Sequence, residues 1–117
     1  MDVATGALFV KPDTGCVESR QVVELEDPQF RLSQRLVTHE SKLVEYALVL
    51  SRQQGGDWVE VYSLDTKHGY LHEHISGHAR KGDRRDVRPL YTQVDVQESL
   101  DDPASQMVQA KYRKMRS

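Results

Sequence analysis

The chain has 117 residues, of which 38% are hydrophobic and 29% charged, with a formal net charge of −2. Such a length supports one modest core but not two, and the composition excludes a disordered chain. No apolar run approaches the roughly 20 residues of a membrane span, so no membrane partner is expected. The start, Met-Asp-Val-Ala-Thr-Gly, lacks the basic flank and apolar stretch of a signal peptide, and Cys16 is the only cysteine. A single cysteine forbids an intramolecular disulfide and fits a reducing cytoplasm, which is the location expected. Residues 1–64 carry ten acids and six bases (−4), and residues 65–117 carry eight acids and ten bases (+2). An anionic partner would therefore meet the second half first.

In chain order, Ala7 to Lys11 predicts a short strand, stopped by Pro12 and the Asp13-Thr14-Gly15 turn. Val17 to Glu26 reads as extended, so residues 1–28 form either an edge strand or a mobile segment ahead of a folded body at 29–117. From Phe30 to Val37 apolar and polar residues alternate with the period of a half-buried strand. Thr38 to Lys42 is polar and reads as a hairpin loop. Leu43 to Leu50 is apolar on both faces, which predicts a central strand covered on both sides. Gly55-Gly56 marks a tight turn, after which Trp58 to Leu64 alternates again, with Trp58 read as core.

The next strand, Tyr70 to Ser76, holds the most informative stretch of the chain. Asp65, His68, Gly69, His72 and His74 fall within ten residues, and four of the five histidines lie between His68 and His78. Alternation puts Tyr70, His72 and His74 on one face, with Leu71, Glu73 and Ile75 directed to the core. Residues i and i+2 on a strand are about 6.6 Å apart, close enough for two imidazoles to share a small ligand. Beyond Gly77, the residues His78, Arg80, Lys81, Arg84, Arg85 and Arg88 show no apolar period and read as a basic loop. Leu90 to Val96 alternates as a last strand. Asp102-Pro103 then predicts a helix from Pro103 to about Met115, with Asp102 as N-cap. The fold class is α+β: a single domain with a mainly antiparallel meander of four to six strands and a C-terminal helix on one face.

Three readings of the histidines compete. They are ordinary residues of a solvated sheet face; or His68, His72 and His74 bind zinc or another divalent metal; or, with no cofactor, His72 and His74 act as an acid–base pair oriented by Asp65 and His68. Cleavage of RNA by its own 2′-hydroxyl needs such a pair and cations on the phosphate. Arg80, Lys81, Arg84 and Arg85 would supply the cations, with Tyr70 placed to stack a base.

A β-meander leading into Asp65, His68, Gly69, His72 and His74 resembles the TumE-type toxins of bacterial toxin–antitoxin modules and their small relatives. The resemblance implies a toxin-like role on RNA with an antitoxin-like protein partner. The leading expectation is thus a cytoplasmic, histidine-centred ribonuclease, with RNA, an antitoxin-like protein and a second copy of the chain as candidate partners. The alternative is a non-catalytic protein-binding module, or a metal-binding protein using the same histidines.

Overall fold

The computed structural model describes residues 7–75 and 84–116. Six antiparallel strands lie in one sheet in the order in which they occur in the chain. They are β1 (Cys16–Glu24), β2 (Phe30–His39), β3 (Lys42–Gln54), β4 (Asp57–Asp65), β5 (Tyr70–His74) and β6 (Arg84–Pro89). Helices α1 (Gln93–Ser99) and α2 (Ser105–Arg116) follow. Every neighbour in the meander is also the next element in sequence, so short turns set the register. Glu40 and Ser41 both take positive φ, 50° and 66°, which closes β2 onto β3 through two residues rather than the longer loop that the polar stretch predicts. Gly55 and Gly56, at 58° and 89°, close β3 onto β4 in the same way, here with the residue type that adopts this geometry without strain.

Both helices pack on one face. There Phe30, Leu32, Tyr46, Leu48, Leu50, Tyr62, Leu64 and Leu71 meet Val96, Ala104, Val108 and Tyr112 in one buried cluster. Ala104, Val108 and Tyr112 recur every four residues, so one stripe of the helical segment faces the sheet. Tyr112 meets Phe30 edge to face with centroids 5.5 Å apart, and its hydroxyl accepts the Asp27 backbone N–H at 2.8 Å. Ser99 donates its hydroxyl to the Val96 carbonyl at 2.8 Å, so the buried Tyr46 hydroxyl donates to Ser99 Oγ, also at 2.8 Å.

Several expectations change. Strand β3 is central, third of six among the described strands, but the helices cover one side only; Ala47 and Val49 on its other face stay half-buried, while Val44 and Glu45 near its start are buried. Residues 7–12 form no strand; a backbone bond from Phe9 N–H to the Leu90 carbonyl at 2.8 Å ties them to the body. Trp58 is 37% exposed instead of core, beneath the Arg31 guanidinium at 4.4 Å. Leu90 to Val96 is not a strand. Thr92 caps α1, its side chain accepting from the Asp95 N–H while the Asp95 carboxylate accepts from the Thr92 N–H. That reciprocal box fixes a helix start ten residues before the predicted one. Asp102 and Pro103 lie inside a wide helical turn, Leu100–Ala104, joining α1 to α2, so Asp102 is not an N-cap.

Candidate functional site

Strand β5 does place His72 and His74 on one face, the one that carries no helix. In the ladder His72 lies opposite Asp65 and His74 opposite Ser63, and the two imidazole centroids are 6.4 Å apart. Leu71, on the other side, is fully buried. Ile75 is not core: it lies just past the end of β5, in a turn, and is 43% exposed. Tyr70 shares the histidine face, its ring 6.2 Å from that of His72.

Asp65 is the buried anchor of the site, 3% exposed at the end of β4. One carboxylate oxygen accepts the Lys67 backbone N–H at 3.2 Å, bending the chain into the Lys67–Gly69 turn. The other accepts from His74 Nε2 at 3.0 Å. Holding the proton on Nε2 makes Nδ1 the basic nitrogen of a neutral His74. A carboxylate-oriented imidazole is the unit from which general acid–base catalysis is built.

His72 is arranged differently. Its Nδ1 lies 2.8 Å from Asp86 Oδ1 and its Nε2 2.8 Å from the Lys67 carbonyl oxygen. Both neighbours are acceptors, so both bonds form only when the ring carries two protons. Its side chain is 6% exposed, against 14% for that of His74. His72 is thus a latch that ties β5 to β6 and to the Lys67–Gly69 turn, and the equal pair of proton-transfer groups expected from the sequence becomes one oriented imidazole beside one clamped one.

His68 does not join them. It is exposed in the Lys67–Gly69 turn with φ 59° and ψ 30°, on the wall of a different groove, so it does not orient His72 or His74. Among the described residues no group of three or more His, Cys, Asp or Glu side chains is placed to hold a metal ion, so the set of His68, His72 and His74 is not assembled.

The expected basic loop is in part a strand. In β6, Arg84 pairs with His74 and Asp86 with His72, so both share the histidine face, with Arg84 Nε 3.8 Å from Asp86 Oδ1. Arg85 pairs with Glu73 on the helix-covered side, donating from Nε at 2.9 Å to a carboxylate that also accepts from the Tyr62 hydroxyl at 2.6 Å. Burial and then the bond to Glu73 push the Tyr62 phenol well above its ordinary range. Arg85 therefore braces the sheet and is removed from the phosphate-binding set. Arg80 and Lys81 lie outside the described residues, as do Ser76 and His78.

With this geometry in hand, one comparison is informative. A family model described as a domain of unknown function, DUF7718, matches residues 17–117. The chain belongs to the DUF7718 family. No curated protein and no solved structure matches it. The DUF7718 match runs from β1 to the end of α2, so Asp65, His72, His74, Arg84 and Asp86 all fall inside the family domain. Asp86 is absent from the residues that the sequence pattern singles out. Two features would have found it: the spacing of Arg84 and Asp86 by two, matching His72 and His74, and the absence of any Gly or Pro between Arg84 and Arg88.

On the histidine face of this DUF7718 domain a carboxylate-oriented imidazole, a clamped imidazole and an exposed guanidinium are brought together. That combination can remove a proton and stabilise developing negative charge on the same small substrate group.

Proposed function

We propose that this protein is a cytoplasmic ribonuclease whose active site is the helix-free sheet face around His74. The observation that carries the reading is the 3.0 Å contact between His74 Nε2 and the buried carboxylate of Asp65. In this mechanism the Asp65-oriented imidazole of His74 takes the proton of an RNA 2′-hydroxyl, and that oxygen attacks the adjacent phosphorus. The bond from phosphorus to the 5′-oxygen breaks, the leaving alkoxide takes a proton from water, and a 2′,3′-cyclic phosphate remains. Arg84 faces the charge that builds on the phosphoryl oxygens, and His72 holds β5, β6 and the Lys67–Gly69 turn in place around it. Asp65 holds His74 in one tautomer and orientation, and Tyr70 offers a ring to a neighbouring base. RNA, the antitoxin-like partner and the toxin-like role belong to this proposal.

The test is end-group analysis of RNA incubated with the purified protein in EDTA. Cyclic phosphate ends that appear in EDTA support the reading. Cleavage that EDTA abolishes and zinc or manganese restores replaces it with a metal-dependent one. No cleavage of any RNA removes it.

A second reading is favoured by one observation. His72, with both nitrogens engaged and little surface exposed, has the environment of a structural histidine, and the edge strand β1 exposes Val17 and Val22 by 65% and 56%. A non-catalytic module that pairs this edge with an antitoxin-like protein or with a second copy of the chain would use those features.

A further inference from the structure

A groove of about 520 Å³ opens beside the Lys67–Gly69 turn, away from His72 and His74. The Lys67–Gly69 turn forms one wall and residues Leu8 to Lys11 the other, with Val44 and Glu45 of β3 among the residues between them. Gly69 sets how closely the walls approach. At φ 78° it occupies backbone space that disfavours other residues, and a Cβ there would come within 2.7 Å of Leu8 Cβ. His68 is held beside it in the left-handed region, an uncommon conformation for a residue other than glycine that concentrates at functional sites.

The lining joins an apolar part with cations. Leu8, Phe9, Val10 and Val44 supply the first and Lys11 and Lys67 the second, with the His68 imidazole beside them. Lys67 and His68 are exposed, and no ion pair engages either side chain among the described residues. Two acids line the same groove. Glu45 is neutralised by Arg35, whose Nη2 donates to it at 2.7 Å, which leaves Asp13 opposite two lysines. The balance is therefore cationic. The groove also connects mechanically to the site, because the carbonyl of Lys67 is one of the two groups that clamp His72.

We infer that this groove is a nucleotide subsite: Lys67, His68 and Lys11 take a phosphate next to the one cleaved, and the apolar wall takes its base. This rests on the ribonuclease reading for its role, but not for its binding. The probes are uridine 3′-monophosphate, uridine and inorganic phosphate, titrated in the millimolar range into the full chain while backbone amide and histidine ring resonances are followed. The nucleotide should shift Thr66, Lys67, Gly69 and the His68 ring and bind more tightly than either uridine or phosphate. Lys11→Ala with Lys67→Ala should weaken it about tenfold, the scale of a lost charge-assisted contact, while Asp13→Asn should tighten it. Shifts confined to Arg84 and His74, no shifts, or unchanged affinity in the double variant would overturn the subsite. Nucleotide bound in the groove by a protein that cleaves no RNA removes the ribonuclease reading and leaves the subsite standing. Cleavage that proceeds with an unchanged KM in the double variant does the opposite.

Discussion

Removing the Tyr46 hydroxyl should change how stability depends on alkaline pH. Tyr46 is fully buried in β3, and its hydroxyl is hydrogen-bonded to Ser99 across the sheet–helix interface. Burial pushes its phenol up to about 12, the Ser99 bond opposing this in part. In the unfolded chain the same group titrates near the ordinary value of about 10. A group whose folded pKa is raised contributes stability that is complete below the unfolded pKa and is lost as pH rises through the folded one. Between about pH 10 and pH 12 the unfolded chain has lost this proton and the folded chain keeps it. Stability therefore falls there by about 1.4 kcal/mol per pH unit, or about 2–3 kcal/mol in all, from Tyr46 alone. Other groups titrate in the same window, so the informative quantity is the difference from Tyr46→Phe. At about pH 8 the variant should be less stable by about 0.5–1.5 kcal/mol, the net worth of one hydrogen bond. Urea unfolding curves at rising pH should show that deficit shrinking and then reversing before about pH 12. Parallel pH dependences for the two proteins would refute the buried, hydrogen-bonded placement of Tyr46.

Other substitutions separate the roles assigned to side chains. Leu48→Ala, at a buried position of β3, should cost about 2–5 kcal/mol in a denaturant titration, whereas His74→Ala should cost less than about 1 kcal/mol. Gly69→Ala forces a side chain into a left-handed position and against Leu8, so it should lower stability by more than 1 kcal/mol, read as a drop in Tm. Arg84→Ala should weaken RNA binding and reduce its salt dependence, because a phosphate contact is lost. Arg85→Ala should leave RNA binding unchanged and cost about 1 kcal/mol of stability, since Arg85 itself is 63% exposed and the buried Glu73 carboxylate keeps its Tyr62 partner.

The four strands from Phe30 to His74 are legible because each buries apolar residues against the core: one-sided burial writes a period of two into β2, β4 and β5, and β3 shows as an apolar run. Strand β6 was not. Its two faces carry Arg84 and Asp86 on one side and Arg85 on the other, and at an edge those charges find partners without apolar residues. Helix α1 was misread because Val94 and Val96 alternate, although only Val96 is buried; Thr92 and Asp95 held the better signal. The shared face of His72 and His74 followed from parity alone. Which imidazole is clamped and which is oriented did not, because it depends on Asp86 and Lys67, and Asp86 reaches the site only once β6 is paired. His68 was grouped with its neighbours by closeness in sequence, and the left-handed turn carries it to a separate groove.

The most direct test of the active-site assignment is the single-turnover rate of RNA cleavage in EDTA for the native protein, His74→Ala and Asp65→Asn, with amide spectra recorded to show that each variant is folded. The account predicts that His74→Ala loses about 10²–10⁴-fold of the rate, the usual contribution of a positioned proton-transfer group, and that Asp65→Asn loses a smaller share by releasing the ring. A folded His74→Ala protein that cleaves RNA at the native rate would contradict it.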